Sequence, residues 1–224
     1  MLRATIADTF FAARVNHRLV YEMKLIVVTP PTFFVEEDQI ITALFEEGLD
    51  ILHLRKPETP AMYSERLLTL IPQKYHKHIV THEHFYLQEE FNLMGIHLNE
   101  RNPKEPHDYS GNVGCCCHSL EELQNKKHFY DYLFLTPIYD CITLAGTPSG
   151  FTTEDLRKAA RSKLIDSKVM AWGGITSENI RAIKDFGFGG AVLMGDLWNR
   201  FHACTDRDYM EVIRYFKEVK KAVG

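Results

Sequence analysis

The sequence predicts an α/β protein folded as a single closed (β/α)8 TIM barrel. Three observations carry that prediction. Short apolar runs alternate with amphipathic runs from Met23 to the C-terminus. Eight of the short runs have the length and composition of strands. The chain has 224 residues, close to the roughly 250 typical of one barrel. Strands that alternate with helices imply parallel βαβ units, and eight such units favour closure over an open sheet with exposed edges. No G-x-G-x-x-G follows the first strand, which leaves a dinucleotide fold with little support.

Residues 1–22 differ from the rest and read as an N-terminal extension, with the folded domain over 23–224. They hold Arg3, Arg14 and Arg18 but lack the sustained apolar stretch of a signal peptide. Strands are expected at Leu25–Val28, Ile51–Arg55, His78–Thr81, Gly95–Leu98, Val113–Cys117, Tyr132–Leu135, Val169–Ala171 and Gly190–Met194. Helices are expected at Glu37–Glu47, Ala61–Leu70, His84–Phe91, Ser119–Asn125, Thr153–Ser162, Ser177–Asp185 and Tyr209–Val223. In the first of these, Ile40, Ile41, Leu44 and Phe45 form one apolar stripe. Thr153 and Ser177 stand where N-caps are expected. Two connections break the pattern. Residues 99–112 are polar and hold two prolines, and residues 136–151 are long and rich in Pro, Gly and Thr. Loops that follow strands lie on the catalytic face of a barrel, and long ones there usually carry function.

Composition narrows the function. Apolar residues make up 45%, charged residues 25%, and the net charge is -4, which gives no reason to expect nucleic acid or an anionic membrane as a partner. No apolar run approaches the roughly 20 residues of a membrane span. The odd set of five cysteines, three of them consecutive, argues for a reducing, cytoplasmic setting. Cys115, Cys116 and Cys117 alternate in direction along a strand, so they cannot converge on one metal; they read as small apolar strand residues.

Chemistry collects at the predicted strand ends. Two glycine clusters, Gly173-Gly174 and 187–195, close the seventh and eighth units. Glycine allows a close backbone approach, and the loops after strands 7 and 8 form the usual phosphate site of a barrel. The plainer alternative is that these glycines only make tight turns. Strand two ends in His53-Leu54-Arg55-Lys56, and alternation puts His53 and Arg55 on one face. An arginine at the barrel mouth suits an anionic substrate, because its fork grips carboxylate or phosphate bidentately. His82, Glu83 and His84 follow strand three, His97 lies in strand four and His118 follows strand five. His82-Glu83-His84 has the spacing of a metal-binding H-x-H triplet, so a metal-dependent hydrolase stands as a distant alternative. The other reading makes these histidines polar mouth residues, with one serving as acid–base near neutral pH.

Six segments in register resemble the thiamine-phosphate synthase/TenI family of (β/α)8 barrels. They are Val28-Thr29, Leu52-His53-Leu54-Arg55, Gly95-Ile96-His97-Leu98, residues 114–122, residues 131–140 and Trp172-Gly173-Gly174-Ile175. The match runs in order from about Lys24 to Trp198.

The resemblance implies a thiamine-biosynthesis enzyme with a phosphorylated thiazole as its partner. It implies a phosphate site at Gly173, Gly174, Met194 and Gly195, with Thr143, His53 and His82 as further substrate contacts. Family barrels are often dimers, so a homodimer is an allowed assembly, with no interface legible here. The synthase branch joins a pyrimidine diphosphate to a thiazole phosphate with Mg2+; Glu83 would then be the metal ligand. Its pattern is poorly kept. Pro57 stands where a lysine is expected, Leu144 replaces another, and the second metal aspartate falls near Asn102. The TenI branch moves a proton on a thiazole carboxylate phosphate and needs no cofactor. Its phosphate site, anion-binding arginine and catalytic histidine match Gly174, Arg55 and His118. The tautomerase is therefore the favoured expectation, the synthase the alternative, and a non-catalytic binder of thiamine-pathway ligands a third reading.

Overall fold

The computed structural model describes residues 22–142, 148–201 and 206–224. Eight parallel strands close into a barrel in sequence order, with β1 paired to both β2 and β8. They are β1 Lys24–Val28, β2 Ile51–Leu54, β3 Ile79–Thr81, β4 Gly95–Leu98, β5 Asn112–Cys117, β6 Tyr132–Leu135, β7 Val169–Trp172 and β8 Gly190–Leu193. The helices are α1 Glu37–Glu46, α2 Ala61–Leu70, α3 Leu87–Glu90, α4 Leu120–Lys126, α5 Thr153–Arg161, α6 Ile180–Asp185, α7 Gly195–Trp198 and α8 Asp206–Val223. Among the described residues no helix is long and apolar enough to cross a membrane.

Strand alternation sorts the core into two layers. Leu25, Val27, Leu52, Leu54, Ile96 and Leu98 face the helices. Ile26, Val28, Ile51, Val80, Tyr132, Phe134, Met170 and Val192 fill the barrel interior. Cys115 and Cys117 join the outer layer while Cys116 faces inward, so the three thiols do not converge on one point, as expected. Gly114 makes room inside: a Cβ there would lie 2.2 Å from the Tyr132 ring.

Several local expectations need correction. Helix α5 is capped by Thr152, not Thr153: the Thr152 hydroxyl accepts from the Asp155 N–H at 3.1 Å, and the Asp155 carboxylate accepts from the Thr152 N–H, forming a capping box. Ser177 does not open a helix, because α6 starts at Ile180. The predicted 84–91 helix shrinks to Leu87–Glu90, since His84 sits at φ 52°, where a helix cannot continue. A 3-10 turn at Gln73–His78 and the short α7 escaped the sequence reading. Each is too brief to show an amphipathic period.

Candidate active site

A cleft of about 300 Å³ opens at the C-terminal ends of the strands. Arg55, His118, Gly173, Gly174, Met194 and Gly195 all line it, with Trp172, Ile175, Ile142 and Val192 as its apolar walls. Six of the predicted site residues therefore converge. His53 and His82 do not line it; both are 1% exposed, in the barrel interior. Thr143 lies outside the described residues.

Arg55 is held from below by Thr29, the first residue after β1. The Thr29 hydroxyl accepts from the Arg55 N–H at 3.0 Å and donates to the Arg55 carbonyl at 3.1 Å. This double tie fixes the backbone at the mouth and leaves the guanidinium to the cleft. Burial and the nearby Arg101 push Arg55 downward from its ordinary pKa. Among the described residues it has no ion-pair partner, which makes it an open anion site.

The neighbouring lysine behaves differently. Lys56 Nζ lies 2.5 Å from Glu37 Oε1 and 3.0 Å from the Thr32 carbonyl, and its ammonium sits over the Phe33 ring. Both charged side chains are 1% exposed. Lys56 is therefore locked against α1, on the far side of the strand from the cleft.

His118 follows β5 and is exposed at the cleft rim. Its backbone is set by the start of α4. The Ser119 hydroxyl accepts from the Glu122 N–H, and the Glu122 carboxylate accepts from the His118 N–H, both at 3.0 Å. That backbone bond, with Lys126 nearby, holds the Glu122 carboxyl below its usual range.

The glycine turn after β7 is packed against the loop after β6. Gly173 and Gly174 adopt φ 101° and 63°, and added Cβ atoms would meet Pro137 at 2.7 Å and the Asp140 carbonyl at 2.5 Å. The side where a side chain would go is thus filled by protein, so tight turning alone requires glycine here. Both glycines also line the cleft. Asn179 staples the turn: its Oδ1 accepts from the Thr176 N–H at 2.9 Å and its Nδ2 donates to the Gly174 carbonyl at 2.8 Å. Tyr215 on α8 joins this turn to the one after β8. Its hydroxyl accepts from the Ser177 N–H at 2.9 Å and donates to Asp196 Oδ2. Asn179 and Tyr215 went unrecognised in the sequence, because one reads as a polar helix-start residue and the other as part of a core stripe.

The residues near Glu83 do not fit a magnesium ion. Its two oxygens are taken by Arg101 Nη2 at 2.8 Å and the Lys56 N–H at 2.9 Å. At the other position assigned to metal binding, Asn102 and its neighbour Asn99 donate to the His82 carbonyl at 3.1 and 3.0 Å. A magnesium ion wants octahedral oxygen ligands, and Glu83 is the only carboxylate that these contacts bring together.

His82 and His84 also part company. His84 Nε2 bonds the Thr59 carbonyl at 2.9 Å, while His82 turns inward to His53. The H-x-H triplet is not one ligand set.

A family model described as thiamine monophosphate synthase matches residues 25–197. The chain belongs to that family. It is accordingly an enzyme of a thiamine-biosynthesis family, on the barrel that the resemblance implied. It is similar to the crystal structure of a thiamine phosphate pyrophosphorylase from Bacteroides thetaiotaomicron, with 71% identity over 89% of this chain and 97% of that chain and a TM-score of 0.83. A thiamine phosphate pyrophosphorylase from Pyrococcus furiosus shares the fold at 18% identity, over 91% of this chain and 96% of that one, with a TM-score of 0.70. The tryptophan synthase α subunit from Legionella pneumophila shares it at 13% identity, over 90% and 92%, with a TM-score of 0.60. No curated protein matches the chain.

Proposed function

We propose that this enzyme is a TenI-like proton-transfer isomerase acting on one thiazole carboxylate phosphate. The observation that carries the reading is the charge inventory of the cleft. Arg55 is the single unpaired cation lining it among the described residues, and Lys56 is committed to Glu37. One phosphate on the turns after β7 and β8, and one carboxylate on Arg55, use what the cleft offers. A diphosphate leaving group calls for several cations placed on developing charge, and loss of one such donor typically costs about 10²–10³ in rate. His118, exposed at the rim, is the group that takes a proton from one ring position and returns it to another. A positioned acid–base of this kind contributes about 10²–10⁴-fold.

A second reading is thiamine-phosphate synthase, the alternative that the comparisons back better than the tautomerase. Its support is the pyrophosphorylase name of the relative at 71% identity. The test is a two-substrate panel on the purified full chain. Turnover of the thiazole tautomer without thiamine phosphate formation supports the isomerase. Robust thiamine phosphate formation from both phosphorylated halves with Mg2+ replaces it with the synthase. Tight ligand binding with neither turnover leaves the non-catalytic binder.

A further inference from the structure

Three buried imidazoles stand together beneath Arg55, and none of them lines the cleft. His53 on β2, His82 just after β3 and His97 on β4 each offer a ring nitrogen, and these atoms all lie within 4.8 Å of one another. His53 Nδ1 is 2.9 Å from His82 Nε2. The His82 and His97 rings stack with centroids 4.4 Å apart. We propose that His53, His82 and His97 form a site for a single divalent transition metal ion of the kind that favours imidazole, such as Zn2+, Co2+ or Ni2+.

The donor chemistry supports this. Imidazole ligates metals in its neutral form. Burial keeps all three rings neutral, pushing their pKa values down, with that of His97 at about 3. Among the described residues no carboxylate bonds any of the three, so nothing on hand prefers the charged form. Three protein nitrogens with a fourth position open is a common arrangement for zinc.

The supports are in place as well. His97 Nδ1 is 3.1 Å from the Tyr132 hydroxyl, an outer partner that fixes the ring. The Tyr132 ring reaches there because residue 114 is glycine. Asn99 and Asn102 both hold the His82 carbonyl, and the His82 N–H bonds the Leu54 carbonyl at 3.0 Å. Cys116 Sγ lies 3.3 Å from His97 Nε2, a contact that metal binding through that nitrogen would replace. Metal–nitrogen bonds of about 2.1 Å put tetrahedral ligand nitrogens about 3.4 Å apart. Reaching that spacing from the present 4.8 Å spread requires the rings to reorient, at the expense of the direct His53–His82 hydrogen bond and the His82–His97 stack.

The opposing term is Arg55, whose charge raises the cost of a cation in the same mouth. For that reason the test measures binding of the metal itself. The full chain is stripped with chelator and titrated with Co2+, reading the visible absorption band and the bound equivalents by elemental analysis, then with Zn2+ in competition. One equivalent is expected, with affinity lowered by at least about 100-fold in His82→Gln and in His97→Gln, since losing a ligand costs more than the roughly 10–100-fold of losing one of its outer partners. The exposed-histidine variants His107→Gln and His128→Gln are expected to bind as the parent does. Circular dichroism checks each variant, and His53→Gln replaces any that fails to fold. Binding of less than a tenth of an equivalent overturns the proposal. So does equal affinity in folded interior variants, which would place the ion on the surface.

Discussion

Lys56 on the loop after β2 and Glu37 at the start of α1 form an ion pair of 2.5 Å, with both side chains 1% exposed. The second carboxylate oxygen of Glu37 is buried with no hydrogen-bond partner. Removing two charges from water is expensive, and a pair that also leaves an oxygen unsatisfied does not recover the cost. Breaking it from one side is worse still. Lys56→Met is expected to lower stability by about 3 kcal/mol, while the double variant Glu37→Leu/Lys56→Met returns to the parent or beyond. Urea denaturation of the three proteins at pH 7 checks this. Independent losses that simply add in the double variant would show that the two groups are not a pair.

The same burial sets a pH dependence. Desolvation pushes the Glu37 carboxyl from its ordinary 4.5 up to about 7, against the pull of Lys56. Between these values the folded protein keeps a proton that the unfolded chain has lost. The contribution of Glu37 is therefore fully present below pH 4.5 and declines as pH rises to about 7. The slope approaches about 1.4 kcal/mol per pH unit. Lys56 is shifted downward from an ordinary value of 10.5, so its own window lies at higher pH. The difference in stability between parent and Glu37→Gln, followed from pH 5 to pH 7, should carry this slope. A difference that is flat across the range excludes it.

The binding assignment rests on Arg55. Two charge-assisted hydrogen bonds to a carboxylate are worth about 3 kcal/mol, roughly 100-fold in affinity. Arg55→Ala is expected to weaken binding of a thiazole carboxylate phosphate by that factor and to leave a thiazole phosphate without the carboxylate nearly unaffected. Calorimetry with the two ligands makes the comparison. Equal losses for both would move the phosphate, rather than the carboxylate, onto Arg55.

In the proposed isomerase reaction, His118 is the residue assigned the chemical step. Its side chain is exposed, so His118→Ala should fold normally. The expected result is a fall in kcat of about 10²–10⁴ with little change in KM. A variant that keeps full tautomerase turnover removes His118 from the mechanism.

Much of the site was readable because strand period 2 is a strong constraint. Alternation alone put His53 and Arg55 inward and Leu52 and Leu54 outward, and the structure agrees. It could not give depth. His53 lies one inward step below Arg55, which buries it in the interior while Arg55 reaches the cleft. Pairings across sequence distance were equally out of reach. The partner of Lys56 is 19 positions upstream on α1, and Tyr215 ties two loops together from the last helix. Cap positions slipped by one residue at Thr152 because two adjacent threonines offer the same hydroxyl, and only the backbone decides which one is non-helical.

The glycine turn itself can be separated from the ligand that it is proposed to hold. Gly174→Ala places a Cβ 2.5 Å from the Asp140 carbonyl at φ 63°, so both strain and contact oppose it. The left-handed conformation costs about 1 kcal/mol and the crowding a further 1–3 kcal/mol. Gly187 gives the matched control, since it has φ 82° but nothing within 4 Å of an added Cβ. Gly187→Ala should lose only the conformational part and keep phosphate-ligand affinity. Gly174→Ala should lose more stability and also bind the phosphate monoester at least tenfold more weakly, because the turn must move away from the loop after β6. Thermal melts and calorimetry on both variants decide it. If Gly174→Ala is destabilised but binds as the parent does, the turn is a packing element and the phosphate sits on the amides after β8 alone.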